Sequence, residues 1–276
     1  MRLSAKTKWP SVFLLLSIPL ISHFLSAGII EKESVSPLKS KEGQPPSGTK
    51  KKESELWKRI PFQNFKSDSV DLKYKIACGN NILLLVNFPA ETEKRKHKPW
   101  KWDAVKQIYV EGGDREAELY VVIAEFAADA GQDSAPSNMD IWIWRAARTD
   151  PSGFADDAYA NAKSLSSSSG ESESVEISQD EGVSCWFSRY FSSFAGEEIP
   201  RFYQRTPEGS SADVAANGRW EAGVWAIEFS RKLDTGHKDD ISLKDGKTKY
   251  IFFSLGPPSR KSLVFSKFIR IPDIGK

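Results

Sequence analysis

The stretch Asp140–Arg148, DIWIWRAAR, constrains the fold more than any other part of the chain. Successive side chains of an extended backbone point to opposite faces. Trp142, Trp144 and Ala146 therefore share one face, and Ile141, Ile143 and Arg145 the other. Large apolar groups on both faces need cover on both sides, which is the situation of a central strand. A chain with such a strand has to supply a second layer to bury it. VDLKYKIAC, NILLLVNF, AELYVVIAEF, GVWAIEFS, TKYIFFSLG and KSLVFSKFIRI are the material for it. These runs are short, rich in β-branched and aromatic residues, and bounded by Gly, Pro, Asn and Asp. Capped amphipathic helical windows are scarce and no repeat period is evident, so a propeller or solenoid is not expected. The expected fold is all-β, an antiparallel β-sandwich with long loops.

In GRWEAGVWAIEFSRKLDTG, Trp220 and Trp225 flank a tight EAG turn, the pattern of a hairpin. Its second strand alternates, with Trp225, Ile227 and Phe229 on one face and Val224, Ala226, Glu228 and Ser230 on the other. Two segments interrupt the strand pattern. ETEKRKHKPWKWDAVKQIYVEGG is a long excursion carrying Trp100 and Trp102. Residues 161–182 are polar and low in complexity and read as a flexible surface insertion.

Residues 31–55 are almost free of large apolar side chains, so a disordered linker is expected over 28–55 and the folded domain over 56–276. Ahead of the linker, Arg2, Lys6 and Lys8 precede the apolar run VFLLLSIPLISHFLSAGII, and LSA ends at Ala27. Residues 1–27 read as a signal peptide or an N-terminal anchor. Leu25 is a poor residue three before the cut, whereas Pro19 and His23 weaken a stable span, so both readings stand. Either one places the domain in a periplasmic or other extracytoplasmic space, secreted or anchored, with no other membrane contact.

The 39 basic and 37 acidic residues nearly cancel, which argues against nucleic acid as a partner. The two cysteines, Cys78 and Cys185, suit either one disulfide or two buried thiols. Without CxxC or CxxCH there is no zinc ribbon and no covalently attached haem. The three histidines lack metal-ligand spacing, and neither His97 nor His237 accompanies a nucleophile elbow, so no catalytic residues are assigned. The adjacent carboxylates Asp156-Asp157 and Asp239-Asp240 suit a hard cation by type, but such pairs are ordinarily solvated or capping groups, and EF-hand spacing is missing.

Three blocks carry a family resemblance: KPWKWDAVKQIYVEGGDREAELYVVI, MDIWIWRAARTDPSGFADDAY and SSADVAANGRWEAGVWAIEFSRKLDTGHKDDI. Their order and spacing resemble the ethylbenzene dehydrogenase-related haem-binding domain family. The resemblance implies an immunoglobulin-like, DOMON-like sandwich that holds haem b non-covalently. It also implies a cytochrome b-like role as an electron-transfer subunit, without catalysis of its own, beside a redox partner protein or a dehydrogenase subunit. In haem-binding members the iron lies between a Met from the segment before the Trp-rich strand and a Lys or His. Here that segment, FAADAGQDSAPSN, has no Met, and Met139 is the only internal methionine. The closing run KSLVFSKFIRI offers Lys261 and Lys267 where relatives often carry His, and the strand reads WIWR where many read WHWK. Met139, Lys261 and Lys267 are thus the candidate iron ligands, with Trp142, Trp144, Arg145 and His237 completing the candidate haem-binding set. Arg145 and Arg148 suit haem propionates, or ion pairs with Asp150 or Asp157. The alternative is a haem-free ligand-binding, carbohydrate-binding or structural envelope sandwich, with Trp100, Trp102 and Trp142 as a stacking platform.

Overall fold

Alternating burial along the strands builds two antiparallel sheets that meet through their large aromatic side chains. The computed structural model describes residues 55–67, 70–127, 136–161, 176–258, 263 and 269–271. In chain order the strands are β1 (Gln63–Lys66), β2 (Asp71–Cys78), β3 (Asn81–Pro89), β4 (Trp100–Asp103), β5 (Ile108–Glu111) and β6 (Glu118–Glu125). Next come β7 (Asn138–Arg145), β8 (Asp156–Asn161), β9 (Ser178–Gln179), β10 (Gly182–Val183), β11 (Trp186–Ser188) and β12 (Glu198–Ile199). The last are β13 (Phe202–Gln204), β14 (Glu208–Gly209), β15 (Ala215–Glu221), β16 (Val224–Lys232), β17 (Tyr250–Ser254) and β18 (Ile269–Arg270).

One sheet runs β1-β2-β3-β16-β15 and the other β18-β17-β6-β7-β8-β9. Trp142 meets Phe229 across the interface at 6.1 Å between ring centroids, and Trp144 meets Trp225 edge-on at 4.7 Å. The expected all-β sandwich is the fold. β7 lies inside its sheet between β6 and β8 and is buried on both faces from Met139 to Arg145, as its sequence demands.

The β15–β16 hairpin also forms where expected, with Trp220 opposite Trp225. Its two turn residues, Ala222 and Gly223, have φ of 50° and 82°, a pair of left-handed conformations that matches the twist of the flanking strands. Gly218 in β15 has a packing reason, because a Cβ there would stand 2.5 Å from Cζ2 of Trp144 and 2.9 Å from Ile227 Cδ1.

The Trp100–Trp102 excursion becomes β4 and β5, which with β12 form a small sheet; β11 pairs β13 beside it. Together they form an aromatic-rich cap. Of the 161–182 insertion, Asn161 ends β8, and residues 176–182 supply β9 and the start of β10; residues 162–175 lie outside the described residues. The leader over 1–27 and all but the last residue of the linker also lie outside them. KSLVFSKFIRI departs from the expected strand. Among its described residues, Leu263 is helical and fully buried, and Ile269–Arg270 pair with β17. A short apolar run such as LVF has no period that separates strand from buried helix. Both cysteines are free, Cys78 exposed and Cys185 buried. Among the described residues no helix is long and apolar enough to cross a membrane.

Candidate functional site

Alternation along β7 sorts the candidate residues before any chemistry does. Asp140, Trp142 and Trp144 face the other sheet, and Met139, Ile141, Ile143 and Arg145 face outward. The two tryptophans therefore belong to the inter-sheet core and do not wall any site around Met139. Trp144 packs on Phe88 and Trp225 and donates its indole N–H to Asp150 Oδ1 at 2.8 Å. The same carboxylate accepts the Gly218 N–H at 2.5 Å and Arg95 at 2.6 Å. Trp142 has no exposed surface, so it cannot join Trp100 and Trp102 in a stacking platform. Those two lie in the cap, Trp100 on Tyr190 and Trp102 on Tyr109 and Phe194.

On the outer face, Met139 is 1% exposed, with Ala124 and Ala160 as its neighbours on the two flanking strands. Two residues on, Ile141 lies between Val122 and Ala158. The thioether thus sits on a floor of small and branched apolar groups. Arg145 lies six residues along the same strand, about 20 Å away at a rise of ~3.3 Å per residue. Arg145 pairs with Asp156 and with Glu118 at 3.5 Å. Arg148 pairs with Glu116 at 2.5 Å and Glu118 at 2.8 Å. Neither arginine uses Asp150 or Asp157. The cross-strand register sets Glu118 opposite Arg145, and strand alternation turns Asp157 to the far face. Glu116 also accepts the backbone N–H groups of Ala147 and Arg148, so this network is closed. His97 approaches it, with Nδ1 3.2 Å from Glu116 Oε1. Burial, then the Arg148 charge and those of its basic neighbours, hold His97 down at about 3.

A second group of polar residues gathers at the Asp140 end of the inner face, and sequence reasoning singled out only part of it. Asp140 Oδ2 accepts Arg231 at 2.6 Å and the Ile241 N–H at 3.2 Å. Asp157 is 1% exposed, and neither of its oxygens has a hydrogen-bond partner. Asp240 accepts Thr235 at 2.5 Å on Oδ2, and its Oδ1 lies 3.4 Å from Arg231. Ser210 donates toward Asp180 at 3.3 Å and Asp239 at 3.0 Å. Ligand oxygens of Asp140, Asp157 and Asp240 lie within 4.8 Å of one another, and so do those of Asp180, Asp239 and Asp240. Burial pushes Asp140 up to about 7 despite Arg231, and burial with Asp239 and Asp240 pushes Asp180 to about 8. Asp157 rises through burial first and then through Asp140, Asp180 and Asp240. The pairs Asp156-Asp157 and Asp239-Asp240 were the only sequence signal for this group; Asp140, Asp180 and Arg231 carried none.

His237 lies at the edge of this group, on a half-exposed side chain with Nδ1 2.6 Å from Asp213. That hydrogen bond raises its pKa. Met139 points to the outer face and His237 joins the acidic residues of the inner one, so the two do not converge on one iron. Lys261 and Lys267 lie outside the described residues. Toward a haem, the described residues thus offer one soft donor, the thioether of Met139, buried among apolar neighbours.

A family model described as ethylbenzene dehydrogenase matches residues 76–255, from the end of β2 to just beyond β17. No curated protein matches the chain significantly.

Proposed function

The chain belongs to the ethylbenzene dehydrogenase family, and on that premise we propose that it is a haem b-binding electron-transfer module, non-catalytic by itself, in an extracytoplasmic compartment. Met139 carries this reading. Its thioether is a soft donor of the kind that would hold haem iron, and it is buried between Ala124 of β6 and Ala160 of β8. The second donor in this reading would be an amine of the C-terminal run, Lys261 or Lys267. When bound, the haem would supply a one-electron couple, and Met139 with Lys261 or Lys267 would hold it. The partner in this reading is a redox protein or a larger dehydrogenase subunit, in keeping with the family.

Hemin titration of the purified chain tests this. The expected result is a saturable one-to-one Soret band with low-spin reduced α and β bands. Met139→Ala should lose the low-spin bands, and one of Lys261→Ala and Lys267→Ala should do the same. A folded protein with no saturable spectrum rules the reading out.

A second reading, a haem-free binding or structural sandwich, draws on the cap. Tyr190 and Phe194 are 62% and 56% exposed there, beside Trp100 and Trp102. Exposed rings grouped in this way suit sugar or aromatic ligands. Saturable quenching of tryptophan emission by a panel of sugars and small aromatics supports it; a flat response across the panel removes it.

A further inference from the structure

The acidic group at the inner end of β7 and β8 contains a buried carboxylate, Asp157, that neither an arginine nor a hydrogen-bond donor meets. Glu116 and Glu118 are met by arginines and backbone N–H groups. Asp157, by contrast, is buried with both oxygens unpartnered. One oxygen each of Asp140, Asp180 and Asp240 also lacks a hydrogen bond, giving five such oxygens across four carboxylates, of which Asp240 Oδ1 has Arg231 at 3.4 Å. A buried carboxylate without a donor is costly unless it meets a cation. Meanwhile Asp140, Asp180 and Asp240 each have their other oxygen held by Arg231 and Ile241, by Ser210 or by Thr235. Ligand oxygens of Asp140, Asp157 and Asp240 lie within 4.8 Å of one another, and these hydrogen bonds fix the Asp140 and Asp240 carboxylates as outer hydrogen bonds fix the ligands of a metal.

From this geometry we infer a site for one hard divalent cation, calcium by its chemistry, bound by Asp140, Asp157 and Asp240 and flanked by Asp180. All the donors are carboxylate oxygens, which suit calcium and magnesium and not a soft metal. Calcium takes 6–8 oxygens in irregular arrangements, which a cluster drawn from two strands and two loops can supply together with water; magnesium demands a stricter octahedron. Charge agrees as well. Three carboxylates beside the single guanidinium of Arg231 leave two negative charges, which a divalent cation cancels. Bound there, the ion links β7 and β8 of one sheet to the loop that follows β16 of the other, closing this end of the sandwich.

Trp142 is the cross-strand neighbour of Asp157, so terbium, a luminescent calcium mimic, should be sensitised by indole excitation. The purified chain is stripped with EDTA and titrated with terbium, then with calcium as competitor. Retained calcium is counted by equilibrium dialysis. One ion per chain is expected, with terbium emission displaced by calcium and a rise in Tm of about 3 °C or more at saturating calcium. Asp157→Asn and Asp240→Asn should each weaken calcium at least tenfold. If Asp157→Asn does not fold, Asp240→Asn on the loop decides. A folded wild-type chain that retains no calcium and shows no Tm shift overturns the assignment, as does wild-type affinity in a folded variant. Hemin binding is scored separately, so failure of the haem reading leaves this result intact.

Discussion

Asp156 and Asp157 follow one another in β8, and alternation turns them to opposite faces of the sheet. Asp156 goes outward to Arg145 and to the indole N–H of Trp186 at 2.8 Å. Asp157 goes inward to Asp140 and Asp240, where no donor meets it. One peptide bond separates a satisfied carboxylate from an unsatisfied one. The same logic divides Met139 from Trp142, so a candidate set compact in sequence is split by the sheet itself. At this scale Trp144 gives a clear test. Its N–H donates to the ionisable Asp150, and hydrogen bonds to charged groups contribute about 1.5–3 kcal/mol. Trp144→Phe keeps most of the packing and removes that bond, so it should lower unfolding stability by at least about 1.5 kcal/mol in urea titrations. A loss near zero would show that Asp150 is held by Gly218 and Arg95 alone.

Elements with a strong local pattern could be read directly. The period of two in Val224–Ser230 and the glycine of EAG were enough for the β15–β16 hairpin, and the two-faced apolar content of β7 was enough for its central place. What could not be read depends on pairing between distant strands. Glu118 reaches Arg145 only because β6 pairs β7 in one register, and nothing in either segment states that register. The left-handed φ of 50° at Ala222 was equally invisible, since alanine does not announce it. It has a measurable consequence. A non-glycine residue in that region costs about 1–2 kcal/mol, of which glycine's greater unfolded freedom gives back part. Ala222→Gly should therefore stabilise the protein by about 0.5–1 kcal/mol. Gly218→Ala should do the reverse, by about 1–3 kcal/mol, because its new methyl overlaps Trp144 and Ile227. Parallel thermal melts check both, and a neutral Gly218→Ala would mean that β15 can shift away from the core.

Across the whole molecule, the acidic site draws on positions 140, 157, 180 and 240, spread over a hundred residues and brought together only by the closure of both sheets. No spacing rule reaches that far. The junction of cap and sandwich is likewise a product of assembly, and His97 stands in it, against Phe202 of β13 on one side and Glu116, just before β6, on the other. Burial, Arg148, Lys98, Arg145 and Arg115 keep His97 neutral, with its pKa at about 3 against an ordinary 6.5. The unfolded chain then binds a proton at His97 that the folded chain refuses, between pH 6.5 and 3. Stability from this residue is complete above pH 6.5 and falls as the pH drops through that window. The raised carboxylates Asp140 and Asp180 act in the opposite sense, since the folded state binds their protons more readily and loses stability as pH rises toward 7 and 8. A single melting curve therefore mixes the two. Comparison with His97→Gln separates them, because the carboxylates are common to both proteins. The wild-type chain should lose stability relative to His97→Gln progressively from pH 6.5 to 4, while the difference between them stays constant above pH 7. A constant difference over the whole range would mean that His97 takes up its proton inside the folded junction, paired to Glu116, and that the arginines beside it do not control its charge.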